Sequence, residues 1–323
     1  MFSRILVPLD GSAAAEAAIS PAAVLARAHG AELHLVLVTE LSRVDPTLDE
    51  QLEREHRTYR DERMQPVAKA LRDDAGLAVT TVRLSGTLPV AAAVADYVAK
   101  TGSDLIVMAT HGLTGWRRAL TGSVADDLVH RTATPVLLLR LDDQSIVPPS
   151  PFRRILVALD GSKAAETALE PARALGRLGK STLILGRVVT PVPVEVAAAQ
   201  VPGVLVTDEG ATKAQVDEAN RYLDAVAAEL RTRERLPVET VVDLAPVAFP
   251  SAPIGPMVAR IARDVRADLV TLTTRDRRTS RLLRSSVADR VLHDTHCALL
   301  VCHADGVDLH PGPEGAVTAH AAV

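Results

Sequence analysis

Aromatic residues are scarce in this chain: one Trp, three Tyr and three Phe make up 2% of 323 residues. Its interior must therefore be filled by Val, Leu, Ile and Ala, which carry most of a 47% hydrophobic share. Only Cys297 and Cys302 are present, which excludes a disulfide framework. His293, His296 and His303 lie close enough in sequence to raise a zinc site. The segment Cys297 to Cys302 reads as a strand, however, and an odd separation sends the two thiols to opposite faces. They read as small buried hydrophobes. No basic stripe exists; 36 basic and 40 acidic residues are interspersed for a net charge of −4, which argues against nucleic acid as a partner. No long hydrophobic run exists either. The opening run Ile5 to Leu9 ends at Asp10, short of a signal peptide or a membrane span, so the expectation is a cytoplasmic protein without a membrane partner.

What the chain does have is a repeat. Residues 4–12 read RILVPLDGS and residues 154–162 read RILVALDGS. Pro21 matches Pro171 and Val38 matches Val188 at the same offset, and Asp104-Leu105 and Ser123-Val124-Ala125-Asp126 recur as Asp268-Leu269 and Ser286-Val287-Ala288-Asp289. The chain is a duplication. Two domains, 1–141 and 152–303, are expected, joined by a linker over 142–151 that contains Pro148 and Pro149. Residues 304–323, punctuated by Gly and Pro without a sustained period, read as a disordered tail.

Within the first copy, strands are predicted at Ile5 to Leu9, Leu33 to Val38, Val79 to Leu84, Leu105 to Met108 and Pro135 to Leu139. Helices are predicted at Ala13 to His29, Leu48 to Asp74, Pro89 to Lys100 and Ser123 to Arg131, with Leu52, Tyr59, Val67 and Leu71 on the apolar side of the long one. Such alternation gives an α/β fold: two tandem, doubly wound, parallel five-stranded sheets with helices on both faces. Ligands of these sheets bind beyond the carboxyl ends of the strands, where strand order reverses.

Strand four runs into Ala109-Thr110-His111-Gly112, followed by nine residues and Gly122-Ser123. The spacing, with VPLDGS at the start, resembles the universal stress protein family, whose nucleotide-binding members carry Gly-x2-Gly, nine residues, then Gly-Ser or Gly-Thr; Ala109 stands at the first glycine. Through the repeat the resemblance extends to about His303. It implies an adenine nucleotide alpha hydrolase-like fold and ATP as the ligand, with or without Mg. It also implies adenine and ribose against Pro8, Leu9, Asp10, Val38, Met108 and Ala109, and phosphates on Gly112, Gly122, Ser123 and Val124. Physical reasons support the pattern independently. A helix N-terminus offers free N–H groups to phosphate, glycine lets backbone approach an anion, and a serine hydroxyl adds a donor. Asp10 serves either as an acceptor for a ribose hydroxyl or in an Asx turn that caps the next helix, and the two roles can coexist. Arg117 and Arg118 are candidates to meet phosphates, and Trp116 either covers the site or packs locally.

The second copy has Thr273, Thr274, Arg275 and Asp276 in place of residues 109–112, and Ser285-Ser286 in place of Gly122-Ser123. It has lost the loop glycines and is expected to be a structural or regulatory partner. No nucleophile with a base and no Walker-type Gly-Lys-Ser is visible. The expectation is a regulatory ATP-binding protein that hydrolyses slowly at most. A scaffold without nucleotide and an adenylate-transferring enzyme are the competing readings. The apolar last strands, Pro135 to Leu139 and Ala298 to Val301, are expected to cover each other; they also offer a route to a homo-oligomer, and further protein partners remain unidentified.

Overall fold

The computed structural model describes residues 2–41, 46–86, 88–111, 124–141, 152–195, 205–234, 236–246, 254–274, 287–295 and 297–304. The linker, the tail beyond Ala304 and the loop that follows strand four in each copy lie outside them.

The first half runs β1 (Arg4–Leu9), α1 (Ala13–Glu16), α2 (Ile19–His29), β2 (Glu32–Glu40), α3 (Pro46–Tyr59), a π-helical turn (Arg60–Met64), α4 (Gln65–Ala75), β3 (Val79–Gly86), α5 (Val90–Thr101), β4 (Leu105–His111), α6 (Val124–Arg131) and β5 (Val136–Leu141). The second half repeats it with β6 (Arg154–Ala158), α7 (Lys163–Glu166), α8 (Leu169–Gly179), β7 (Thr182–Val189), α9 (Glu209–Glu234), β10 (Val238–Leu244), α10 (Ile254–Asp264), β11 (Leu269–Thr274), α11 (Val287–Asp294) and β12 (Ala298–His303). A short antiparallel pair, β8 (Pro193–Glu195) and β9 (Leu205–Thr207), is inserted before α9. Nothing in the first copy foreshadows that insertion.

Each half contributes five parallel strands, in the orders β5-β4-β1-β2-β3 and β12-β11-β6-β7-β10. The chain passes from β1 outward to β2 and β3, then returns to the other side of β1 for β4, so strand order reverses between β1 and β4. The two sheets are one. β5 and β12 pair antiparallel through Val136↔Val301, Leu137↔Leu300 and Leu138↔Leu299, giving ten strands in a row. Val136 and Leu299 hold the same place in their halves, opposite Ile106 and Val270, so a pseudo-twofold axis passes through the Leu137–Leu300 pair. Both edges of each last strand are thereby occupied within one chain. That removes the route to a homo-oligomer through these strands, because an edge already paired cannot template another.

Side chains alternate across the sheet. Odd-numbered residues of the first half, Ile5, Val7, Leu9, Leu33, Leu35, Leu37, Leu105 and Val107, build a core against α2, Met64 and Ala68. Leu6, Val36, Val38, Ile106, Val136 and Leu138 build the opposite core against α5 and α6. Both cores continue into the second half. Cys302 belongs to the first core and Cys297 packs against the second, so the thiols do face apart. Burial pushes them up to about 12 and about 11, respectively, well away from the thiolate that metal binding or redox chemistry needs.

The predicted helix over 13–29 is broken at Ala17–Ala18 into α1 and α2, and Gly30 closes it with φ 66°. The long helix holds the larger surprise. Val67 is 38% exposed, whereas Met64 and Ala68 are 1% and 0% exposed. The π turn inserts one residue into the helical repeat, which rotates every later side chain by about 100°. An unbroken 3.6-residue period puts Val67 on the wrong side.

Candidate functional site at the carboxyl ends of the strands

β1 ends in a turn that both halves build alike. Gly11 and Gly161 adopt φ 85° and 90°; Asp10 Oδ1 accepts from Ser12 N–H at 2.9 Å and Asp160 Oδ1 from Ser162 N–H at 2.8 Å. Ser12 and Ser162 then cap α1 and α7 by accepting from Ala15 N–H and Ala165 N–H, both at 3.1 Å. The Asx-turn role of Asp10 is therefore realised. Its carboxylate is exposed and takes only that one bond among the described residues. Asp160 accepts a second, from Ser162 Oγ at 2.5 Å.

The sequence-derived site residues fall on two faces. Pro8, Val38 and Met108 turn toward the α5 and α6 side: Val38 lies in that core, Met108 packs against it, and Pro8, two residues on from Leu6, shares its face. Val124, the first residue of α6, packs against the same core. Leu9 and Ala109 point the other way, into the core beneath α1 and α2. Only their backbone can border a ligand on the Val38 side. A methyl group at Ala109, where the resemblance sets a glycine, therefore stays clear of the Val38 side. Ala109 sits in β4 opposite Leu139, has no positive φ, and aims its Cβ away from the crevice. Gly112, Gly122 and Ser123 lie outside the described residues, as do Trp116, Arg117 and Arg118.

In the second half Ala158, Val188 and Leu272 take the places of Pro8, Val38 and Met108 and pack against the same core. The contrast lies above the sheet. Arg187, at the register position of Leu37, sends its guanidinium over the Tyr222 ring, 5.7 Å from the centroid. Its Nη1 lies 3.0 Å from where a Cβ on Gly161 would stand. Thr273, at the place of Ala109, bonds Thr167 Oγ1 at 3.1 Å and the Ala165 carbonyl at 3.3 Å. The turn carrying Asp160 thus has a cation of the chain itself against it, and the end of β11 is tied to α7.

The universal stress protein family model matches residues 1–140 and 151–303. The chain belongs to the universal stress protein family. A curated universal stress protein of Methanocaldococcus jannaschii is 29% identical over 143 residues, 43% of this chain and 83% of the relative. Another, from Mycobacterium tuberculosis, is 33% identical over 66 residues, 20% of this chain and 22% of that protein. Among solved structures, a universal stress protein from Archaeoglobus fulgidus superposes with a TM-score of 0.68 at 18% identity, covering 93% of this chain and 96% of that one. The fold is therefore that of a universal stress protein across both halves.

Sequence reasoning missed the wall that α3 raises beside this universal stress protein site. Tyr59 packs its ring on the Gly11 turn, 3.7 Å from a Cβ position there. Burial first, then its hydrogen bond to Glu16, holds its hydroxyl well above the ordinary tyrosine range. Arg63 pairs with Glu16 at 2.6 Å. One turn before Tyr59, His56 Nδ1 meets Thr39 Oγ1 at 2.7 Å. A signal existed: His56 and Tyr59, three apart, lie on one helix face. Among the described residues no helix is long and apolar enough to cross a membrane.

Proposed function

We propose that this protein is an ATP-binding regulator of stress physiology that holds one nucleotide, with or without Mg, in its first half, with the second half as structural or regulatory partner. The observation that carries the reading is the convergence of Pro8, Val38 and Met108 on one face, beside the reversal point between β1 and β4, with the exposed carboxylate of Asp10 above them. An apolar floor suits a base and an acceptor-only carboxylate suits a ribose hydroxyl. The start of α6 behind Gly122-Ser123 suits phosphate. Asp126 and Asp127 in its first turn are directed along the helix, 3.4 Å from His130 and 3.7 Å from Arg131, which moderates their repulsion of an anion. The sequence carries no Walker-type Gly-Lys-Ser, so the proposal asks for holding the nucleotide and for slow hydrolysis at most.

The second half supports the same division. Arg187 takes up the space against the Gly161 turn, the Thr273 bonds tie down the end of β11, and Asp276 and Ser285 stand in the places of Gly112 and Gly122, which adds a carboxylate and removes the close backbone approach a triphosphate needs. Titration calorimetry with ATP, together with native mass spectrometry of the purified chain, tests the reading. One nucleotide per chain is expected, lost in Gly122→Asp with an unchanged melting temperature, since a helix start accepts Asp while its charge repels phosphate. Two equivalent sites, or unaltered binding by Gly122→Asp, would refute it.

A further inference from the structure

From the placement of α3 against the ends of β1 and β2, we infer that His56 is a specificity-determining residue that reads the ribose hydroxyls of the bound nucleotide. The inference rests on the nucleotide reading above and adds to it a residue that neither the repeat nor the loop spacing singles out.

Height comes first. β1 and β2 are in register with Leu9 opposite Leu37, so Thr39 stands two residues beyond the last paired residue of β1, roughly 6–7 Å further out at strand rise. α3 begins after β2 and α4 ends before β3, so the helix descends antiparallel to the strands. Tyr59 marks the level of the Gly11 turn. His56 is three residues nearer the helix start, about 4.5 Å above that level at 1.5 Å per residue. The Thr39–His56 contact of 2.7 Å fixes the ring there. A ligand whose ribose meets the exposed carboxylate of Asp10 reaches this height; Thr39 shares the face of Leu37, so His56 approaches it over the strand ends from the α1 and α2 side of the sheet, opposite Val38.

The ring's chemistry fits a hydroxyl. Nδ1 is engaged by Thr39, while Nε2 has no hydrogen-bond partner among the described residues and the side chain is only partly buried. Fixing one ring nitrogen by a partner sets what the other offers. A ribose hydroxyl, donor and acceptor at once, is served by either tautomer, whereas a carboxylate or an apolar edge is served by one or neither. Thr39 is 1% exposed, so the half-buried ring of His56 is anchored on a core residue and is not a chance surface contact. The half without loop glycines lacks it: Val189 stands at the register position of Thr39, beyond Leu159 as Thr39 is beyond Leu9, and α9 contains no histidine.

The test compares affinities of the full chain for ATP and 2′-deoxy-ATP, with 3′-deoxy-ATP as a third ligand. The parent is expected to favour ATP about tenfold over at least one deoxy form, the size of one well-made hydrogen bond. In His56→Leu combined with Thr39→Val, which removes both polar partners and so leaves no buried orphan, that preference should fall to about one while ATP still binds. His56→Gln should retain part of it. Fluorescence melting shows whether each variant is folded, and His56→Gln gives a second reading if the double variant is not. A parent that binds ATP without preference, or a preference unchanged in folded variants, would overturn this inference and leave the nucleotide site standing. A parent that binds no ATP at all would overturn both.

Discussion

Arg140 joins the halves at one end of the seam, and replacing it with Met should destabilise the chain by about 2–4 kcal/mol. Its guanidinium leaves β5, crosses to the second half and donates from Nη1 to the Leu292 carbonyl at 3.0 Å and to the Thr295 carbonyl. These carbonyls belong to the last turn of α11 and the residue following it, where a helix has no further N–H groups of its own to offer. A cation at that end also meets the negative pole of the helix. A hydrogen bond from a charged donor contributes about 1.5–3 kcal/mol. Two bonds from one nitrogen count for less than two independent ones, and the buried Nε of Arg140 already lacks a partner, so methionine relieves one desolvated atom while stranding two carbonyls. The lower half of the range is favoured. Urea denaturation measures the total, and amide exchange locates it: α11 should open more readily while α6, its counterpart in the first half, stays as protected as in the parent. A loss under 0.5 kcal/mol, or equal deprotection of α6 and α11, would show that Arg140 does not clamp α11 across the seam.

Lys180 and Arg266 hold φ 51° and 52° at positions where the first half has Gly30 and Gly102 at 66° and 67°. Each replacement by Gly should therefore add about 0.5–1 kcal/mol, the left-handed strain of about 1–2 kcal/mol relieved less the entropy of glycine, readable as a raised Tm. Glu32 is held from its usual 4.5 down to about 2, first by the Thr80 hydroxyl, then by His34 and Arg4. Because the folded value is depressed, its contribution is complete above pH 4.5 and is lost as pH falls from 4.5 toward 2. With a side chain 31% exposed, about 1–2 kcal/mol should vanish in that window and be absent from Glu32→Gln in acid titrations of stability. Met64→Ala should cost about 2–4 kcal/mol and Val67→Ala under 0.5 in urea melts; the reverse order would mean the π turn does not set the phase of α4.

Much of this architecture was written in the sequence. A continuous apolar run such as Ile5 to Leu9, closed by Asp-Gly-Ser, specifies a strand buried on both faces and the turn after it, and the repeated RILV-x-LDGS transfers that reading to β6. What was not legible depended on geometry that no local pattern encodes. The one-residue slip of the π turn leaves no mark in the order of apolar residues, so Val67 and Ala68 exchange roles unseen. Strand parity, decided by where β1 and β4 begin, separates Pro8, Val38 and Met108 from Leu9 and Ala109, although motif spacing groups them together. The inserted pair β8 and β9 has no counterpart from which to be inferred, and the Thr39–His56 contact joins residues whose elements meet only after folding.

The antiparallel seam has a consequence for how the two halves can change. Two separate chains that close a symmetric pair carry every substitution twice, once in each partner, so a change that spoils one site spoils both. Here a tether holds the partners together, pairing does not depend on concentration, and every substitution is made once. Left-handed Lys180 and Arg266, Arg187 against the Gly161 turn and the serine at 285 accumulate on one side of the axis without touching the other. Fusion has turned a symmetric pair into one whose members are free to become unlike, and the clamp by Arg140, whose place in the second half is taken by His303, shows the axis itself already yielding.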